Sequence, residues 1–561
     1  MITIKQKSLW EQLNINLDTI QDEKIKETIQ ALFNLIENQA ASIRNLQEEN
    51  QRLRDENNRL KGEQGKPKIK SGKNKDDTKS RDISSEKERK EKDSPGKGGS
   101  IKEPIKIDRT HICEVDKAKL PDDAEFKGYE TATVQDLKIE TDNIEFHKEI
   151  YYSPSERKTY RGELPLGYEG GFGPTVKALS LIMKNICNVS EPKIGEILHN
   201  LNIRISSGSI SNILIKKKGI FHQEKEDIVA AGLLSTPYQQ IDDTGARVHG
   251  QNYHTHILCN PWYTAYFTTE KKDRLTIIEL LQNGSELKYC LNQEAIGIAG
   301  QLGVALKYIQ PLKQLQSGQE YQKQPFVELI TKGIPGVKDR ALVKILEASA
   351  IACYHKGLTH PVVKILLCDD APQFKIITEE LALCWVHDGR LYKKLSPVIP
   401  HHVKEQKQFL AVYWEYYRKL LAYTIAPSQE TAFELSIEFD RLFSTKTGYQ
   451  ALDERIAKTK QKKASLLLAL KYPEIPLHNN AAELAARAQV RKRDVSLHTI
   501  TQEGTQANDT FLTITQTCKK LGVSAYEYIF DRVSKAFKLP SLAQIIRGKT
   551  ISSFPGILSG P

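Results

Sequence analysis

Three acidic residues, far apart in the chain, stand in contexts that suit metal-assisted chemistry. Asp242 closes the stretch Tyr238-Gln239-Gln240-Ile241-Asp242-Asp243, and Asp369 follows the β-branched and aliphatic run Val362-Val363-Lys364-Ile365-Leu366-Leu367-Cys368. Two strands that each release an Asp at the C-terminal edge of a sheet hold anionic oxygens on rigid backbone, as hard divalent cations require. The third acid, Glu483, lies three residues after Asn480, which can cap the alanine-rich helix that follows, and Arg487 lies one turn further on. Asp, Asp and Glu on strand, strand and helix is the arrangement with which two-metal phosphoryl-transfer enzymes stabilise the attacking and leaving oxygens, across ions about 4 Å apart. Each acid also has a plainer reading: a strand-end Asp forms turns, and Glu three residues after Asn is a capping box.

The elements around these acids set their order in space. After Asp242 and Asp243, the stretches from Tyr253 to Cys259 and from Trp262 to Thr269 read as two further strands of a meander, followed by a helix from Arg274 to Leu281. An insertion at 283–360, helical from Ala341 to Tyr354, precedes the strand that ends at Asp369. Strand, strand, strand, helix, strand is the ribonuclease-H-like order, which places the first and fourth strands side by side and so predicts that Asp242 meets Asp369. A second helical insertion, at 395–475, is rich in Lys, Tyr and Leu; Glu483 follows it, and Arg491-Lys492-Arg493 comes soon after. The helix carrying Cys384 and His387 at one-turn spacing, with Arg390 beyond, leaves three readings of that pair: zinc ligands, core residues, or contacts to a phosphate or displaced base. Zinc is the least supported, since about four ligands are needed. A body spanning 233–538 results, with a peripheral tail at 539–561.

The rest of the chain is compatible with a DNA-handling protein. With 561 residues and a net charge of +11 it is long enough for several domains and favours polyanionic partners. No run approaches the roughly eighteen apolar residues of a membrane span, and Met1 to Asp18 lacks the pattern of a signal peptide, so a location in the cytoplasm, at the bacterial nucleoid, is expected. Eight scattered cysteines fit reduced thiols. Within 1–62 a heptad places Leu32, Gln39, Leu46, Leu53 and Leu60 at d and Ile36, Ile43, Asn50 and Asn57 at a, which predicts a parallel dimeric coiled coil; the alternative is a single helix packed on the body. Residues 63–104, nearly all charged or small, read as a disordered linker. Alternation at 131–137 and 144–152 suggests a small β-rich domain over 105–168. Three short helical segments within 169–232 suggest a helix-turn-helix whose last segment, with Lys216 and Lys217 at its end, faces DNA, or else a plain packing unit.

These motifs together resemble the DDE transposases of the insertion sequence 66 family. Asp242-Asp243-Thr244-Gly245 with Arg247-Val248 and Gly250 is similar to the family's first motif, Asp369 to its second acid, and Cys384-x-x-His387 with Arg390 to its Cys-x-x-His motif. Asn479-Asn480-x-x-Glu483-x-x-x-Arg487 followed by Arg491-Lys492-Arg493 resembles the third motif, and the stretch from Thr517 to Tyr528 the C-terminal helix. Asp243 and His478 depart from the family's Glu and Asp, the zinc-finger cysteines are mostly missing, and the 283–360 insertion is long for the family. The resemblance implies an α/β, ribonuclease-H-like catalytic core with helical insertions, preceded by a coiled coil, a degenerate zinc-finger region and a helix-turn-helix-like domain. It implies two Mg²⁺ or Mn²⁺ ions on Asp242, Asp369 and Glu483, and cleavage and joining of DNA at terminal inverted repeats and a target. It also implies a homodimer or higher oligomer, with accessory proteins from the same element. DNA contacts are expected from His387, Arg390, Arg487, Arg491, Lys492, Arg493, Lys216 and Lys217, with a salt bridge to Glu483 as the alternative for Arg487. A non-catalytic DNA-binding regulator and a nuclease that cuts without joining are the rival functions.

Overall fold

The computed structural model describes residues 17–60, 106–116, 119–121, 124–357 and 361–553. The linker expected at 63–104 lies outside the described residues. A long helix α1 (Glu23–Leu60) leads, and a hairpin β1 (Ile150–Ser153) and β2 (Lys158–Arg161) precedes four helices, α2 (Pro174–Asn185), α3 (Glu191–Asn200), α4 (Ser207–Ile215) and α5 (Gly219–Leu233). The meander is β3 (Tyr238–Val248), β4 (Gln251–Cys259) and β5 (Thr264–Thr269), followed by α6 (Arg274–Leu281). The first insertion contains β6 (Tyr289–Cys290), α7 (Gln293–Gln301), α8 (Leu306–Gln314), β7 (Glu320–Tyr321), α9 (Lys323–Gly333) and α10 (Asp339–His355). Strands β8 (Ile365–Cys368) and β9 (Glu380–Leu383) return to the main sheet, and α11 (Trp385–Lys393) leads into the second insertion, α12 (Pro400–Ile425), α13 (Gln429–Leu442), α14 (Gln450–Lys460) and α15 (Lys463–Leu466). Helices α16 (Asn480–Ser496), α17 (Gln502–Leu521), α18 (Ala525–Val533) and α19 (Leu542–Ser553) complete the chain.

The main sheet has the order β5-β4-β3-β8-β9. β3, β4 and β5 pair antiparallel, whereas β3 with β8 and β8 with β9 are parallel. The first and fourth strands of the sheet are thus neighbours, as the element order predicts. Ile365 to Cys368 are all buried, which is why their sequence is uniformly apolar rather than alternating.

Helix α17 covers the exposed edge of β5 by a ladder of side chains. The backbone N–H groups of Thr264, Tyr266 and Thr268 donate to Thr517 Oγ1 (3.2 Å), Thr513 Oγ1 (3.1 Å) and Asp509 Oδ2 (2.6 Å). Alternate residues of a strand advance about 6.6 Å and four residues of a helix about 6 Å, so the two spacings match over this length. Donors that an edge strand would leave open are satisfied, and the edge cannot recruit another chain.

Three expectations are corrected. Across 106–149 the described residues form no strand: Val134 is 85 % exposed, and alternation with no second layer to bury its apolar face does not hold a sheet together. Only the β1–β2 hairpin remains of the predicted β-rich domain. The tail is not peripheral over its described part, because Leu542, Ala543 and Ile546 of α19 enter the main core and Leu542 N–H donates to Glu224 Oε1 (3.0 Å). Nor is 232/233 a physical boundary: α5 lies so close to the sheet that a Cβ on Gly232 would fall 2.4 Å from the Tyr263 ring.

Helix α1 divides its faces. Phe33 packs with Leu17 and Ile399, and Glu37, 5 % exposed, accepts from the N–H groups of Val398 and Ile399 (both 2.8 Å), at the start of α12. This part follows the packed-helix alternative. Further along, Ile43, Leu46 and Leu53 of the heptad seam face solvent. No helix among the described residues is long and apolar enough to cross a membrane.

Candidate active site

The parallel pairing of β3 with β8 sets the first two acids. Gln240 lies opposite Leu367 in that ladder, and two residues further along each strand stand Asp242 and Asp369. Strands pair about 4.8 Å apart, so the two acids stand side by side where the parallel pairing ends; β8 stops at Cys368, whereas β3 does not end at Asp242 as the sequence suggested but runs on to Val248 against β4. Glu483 arrives from the first turn of α16, and the cap of that helix is Asn479 rather than the expected Asn480. The Asn479 amide is spent elsewhere: Nδ2 donates to Ile241 O (2.7 Å), which ties the start of α16 to the strand residue before Asp242. Asn479 N–H in turn donates to Cys384 Sγ (3.3 Å), which also receives His387 N–H (3.4 Å) and thereby caps α11. Cys384 is a buried structural pin, its thiol pushed up to about 11 by burial, and it acts on both α11 and α16.

The charge balance at this edge is unusual. Asp242 is raised to about 7, first by burial and then by Asp369, Glu483 and Asp243, while the N–H of Asp243 on its Oδ1 (2.9 Å) works the other way. Carboxylates that repel one another raise each other's affinity for a proton or a cation, and Asp242 has no ion pair among the described residues. The neighbours on the strand ends do not lack one: Asp243 meets Lys272 (3.3 Å) and Gln373 (2.8 Å), and Asp370 meets Lys375 (2.8 Å) and Lys462 (2.5 Å). Burial opposes ionisation of Asp370, but these two ammonium groups bring its carboxyl below the usual value.

Glu483 is gripped by Arg390. The guanidinium donates through Nη2 to Oε2 (2.9 Å) and through Nη1 to Oε1 (3.2 Å), a two-bond fork between side chains 24 % and 17 % exposed. Arg390, expected on DNA, therefore contacts a candidate ligand directly. The donor set is all carboxylate oxygen, which suits Mg²⁺ or Mn²⁺ and not a soft metal. Among the described residues no three His, Cys, Asp or Glu side chains converge closely enough to hold an ion.

The remaining expected residues separate into surface and interior. Arg487 and Arg491 are exposed on α16. Arg493 donates through Nη1 to Gly245 O, bracing the end of β3. Lys492 is a correction: it is 4 % exposed and donates to Asn185 Oδ1 of α2, so it points inward. Nine residues separate it from Glu483, two and a half helical turns, which sets the two on opposite faces. Lys216 pairs with Glu503 of α17 rather than standing free, whereas Lys217 is exposed just past α4. His387 lines a small cavity with Asp370 and Lys462, beside rather than within the Asp242–Asp369–Glu483 cluster. Sequence reasoning missed Asn479 and the Asp509-Thr513-Thr517 ladder, although the four-residue spacing of the ladder was there to be read.

A mixed sheet with helices on its faces, two acids where its parallel pairing ends and a third on a helix beside them, makes this a mixed α/β protein. The Transposase IS66 family profile matches residues 353–507, a span that includes Asp369, Cys384, His387, Arg390, Glu483 and Arg487 but not Asp242. A protein of Sinorhizobium fredii (strain NBRC 101917 / NGR234), described as uncharacterized protein y4jO, is 36% identical over 306 residues, 54% of this chain and 94% of the relative. The chain belongs to the IS66 transposase family.

Proposed function

We propose that the protein is a DNA transposase with a ribonuclease-H-like core, in which Asp242, Asp369 and Glu483 hold two Mg²⁺ or Mn²⁺ ions. The observation that carries this reading is the Asp242 carboxyl: it is raised to about 7 by burial and by its acidic neighbours and has no ion pair among the described residues, whereas Asp243 and Asp370 are paired with lysines and Glu483 with Arg390. Bound there, the ions would supply charge stabilisation for the attacking and leaving oxygens of a phosphodiester. The chain itself does the positioning. Asn479 fixes α16 to β3, so Glu483 faces the Asp pair, and Arg390 holds the Glu483 carboxylate in place until DNA and metal compete for the two partners. Exposed Arg487 and Arg491 on the same helix offer guanidinium forks to backbone phosphates, and Lys217 extends the basic surface past α4. The exposed seam of α1 is the dimer contact by which two DNA ends are held together. The substrates are the terminal inverted repeats and a target DNA: water attacks the phosphodiester at the element's end and expels its 3′ oxygen as a hydroxyl, and that hydroxyl then attacks a target phosphodiester and expels the target's 3′ oxygen.

The test is cleavage of DNA carrying the inverted repeats that flank this reading frame, with Mg²⁺. Asp242→Asn, Asp369→Asn and Glu483→Gln each abolish cutting and keep DNA binding, since the amide preserves shape and loses the ligand charge. Asp243→Asn and Asp370→Asn retain it. Near-normal cutting by any of the first three removes that residue from the site.

A further inference from the structure

A cavity of about 40 Å³, open to solvent, lies where the end of β3, the C-terminal end of α16 and the start of α17 meet. Its walls include Arg247, Lys492, Arg493 and His498, with the side-chain amides of Gln489 and Asn508; among the described residues that line it, none carries a carboxylate. Lys492 is a buried cation without a carboxylate partner. Its hydrogen bond goes to the neutral Asn185 amide, and both oxygens of nearby Asp509 are occupied by Thr268, through N–H (2.6 Å) and Oγ1 (2.8 Å). Burial above all, and then Lys184, lower the Lys492 ammonium to about 7, with Asp509 opposing. Such a buried charge is costly unless an anion completes it.

The backbone of the same cavity is held in a rare shape. Leu497 has φ 59° and ψ −59°, and His498 N–H donates to Ser496 O (2.7 Å): a γ-turn of the strained hand, at a leucine rather than a glycine. The turn is pinned from the other side, where Thr499 N–H donates to Arg247 O (3.2 Å) and His249 N–H to Thr499 O (2.8 Å). This pinned turn brings His498 to the cavity that already holds Lys492 and Arg493. Strain of this kind persists where surrounding structure over-determines it, and it concentrates at ligand clamps.

We propose that this cavity is a phosphate-binding pocket that seats a backbone phosphate of the DNA strand, with Lys492, Arg247 and Arg493 as its cationic wall and His498 as a further hydrogen-bonding side chain. It deepens the transposase reading and rests on it for the source of the phosphate. Lys492 is then an interior anchor for DNA and not part of an exposed basic surface.

The experiment uses the full chain, a short fluorescein-labelled DNA duplex and a KCl series, with the wild type compared with Lys492→Met and Arg247→Gln. Arg247 is exposed, so its variant keeps the fold, and melting curves report on Lys492→Met. Each variant lowers affinity about tenfold and reduces the salt slope by about one unit. Unchanged affinity and slope in both variants overturn the pocket. Inorganic phosphate serves as the second probe. If it raises the melting temperature of the wild type alone while DNA affinity is unchanged in the variants, the site takes free phosphate and the DNA assignment is overturned. If the same shift accompanies weakened DNA binding, the assignment stands. Cleavage with Mg²⁺ separates the two readings: a wild type that binds through the pocket and never cuts sinks the catalytic reading alone, whereas one that cuts, with variants that bind normally, sinks the pocket alone.

Discussion

Replacing Arg390 with Gln isolates the contact that stands between Glu483 and a metal ion. Both Glu483 oxygens accept from one guanidinium, at 2.9 and 3.2 Å, so a cation at this carboxylate competes with the fork for its charge and meets the positive charge of Arg390. The pair is neither surface nor core, with side chains 24 % and 17 % exposed. An exposed ion pair contributes about 0.2–1 kcal/mol, and breaking a buried one costs about 3–5 kcal/mol. Discounting for the solvent that reaches both groups, we place this fork at about 2 kcal/mol, equivalent to about 30-fold in a dissociation constant. Arg390→Gln should therefore bind Mn²⁺ about 30-fold more tightly than the wild type in the absence of DNA, measured by titration of free Mn²⁺ with electron paramagnetic resonance. Arg390→Lys keeps the charge but loses the fork, and should fall between the two. Cleavage should move the other way in both variants, because the released guanidinium is the group placed to meet a phosphate. Mn²⁺ affinity within about threefold of the wild type in Arg390→Gln would refute the reasoning, since a fork of this strength cannot be removed without effect.

Leu46→Pro interrupts α1 beyond its docked first turns and should convert a dimer to a monomer in light scattering, with the melting temperature of the body unchanged; an unchanged mass rejects the exposed seam as the contact. Cys384→Ala loses the cap on α11 and the tie to Asn479 and should cost about 1–2 kcal/mol in urea unfolding. His387→Ala should lower strand cleavage without shifting the melting temperature; equal cleavage places His387 outside DNA contact. For Lys492, the folded value near 7 lies below the ordinary 10.5, so between these values the unfolded chain binds more protons and stability rises with pH. Urea midpoints of the wild type should therefore climb from pH 7 to 10.5 relative to Lys492→Met, and parallel curves would show that burial does not lower the Lys492 ammonium.

What the sequence by itself determined was local in origin. A uniformly apolar run ending at Asp369 and an alanine-rich helix opening near Glu483 each follow from short-range patterning, and the order of strands and helices then brings β3 beside β8, although β3 does not end at Asp242 but continues to Val248 along β4. That α1 is helical was equally legible, because its period is written in consecutive turns. Partner choice was not legible in this way. The Arg residue at Glu483 is Arg390, 93 positions away, and not Arg487 alone on the same helix. Glu37 caps the region before α12 across 361 positions, and Asp509, Thr513 and Thr517 close the edge of β5 across more than 240. Alternation at 131–137 misled, because a strand forms only where a second layer buries one face. Lys492 misled for a related reason: a basic residue in a basic run reads as surface until the face it occupies is known, and α2 packs against that face through Asn185. Side-chain chemistry is written residue by residue, whereas burial and pairing belong to surfaces assembled from distant segments, and only the tertiary structure decided those.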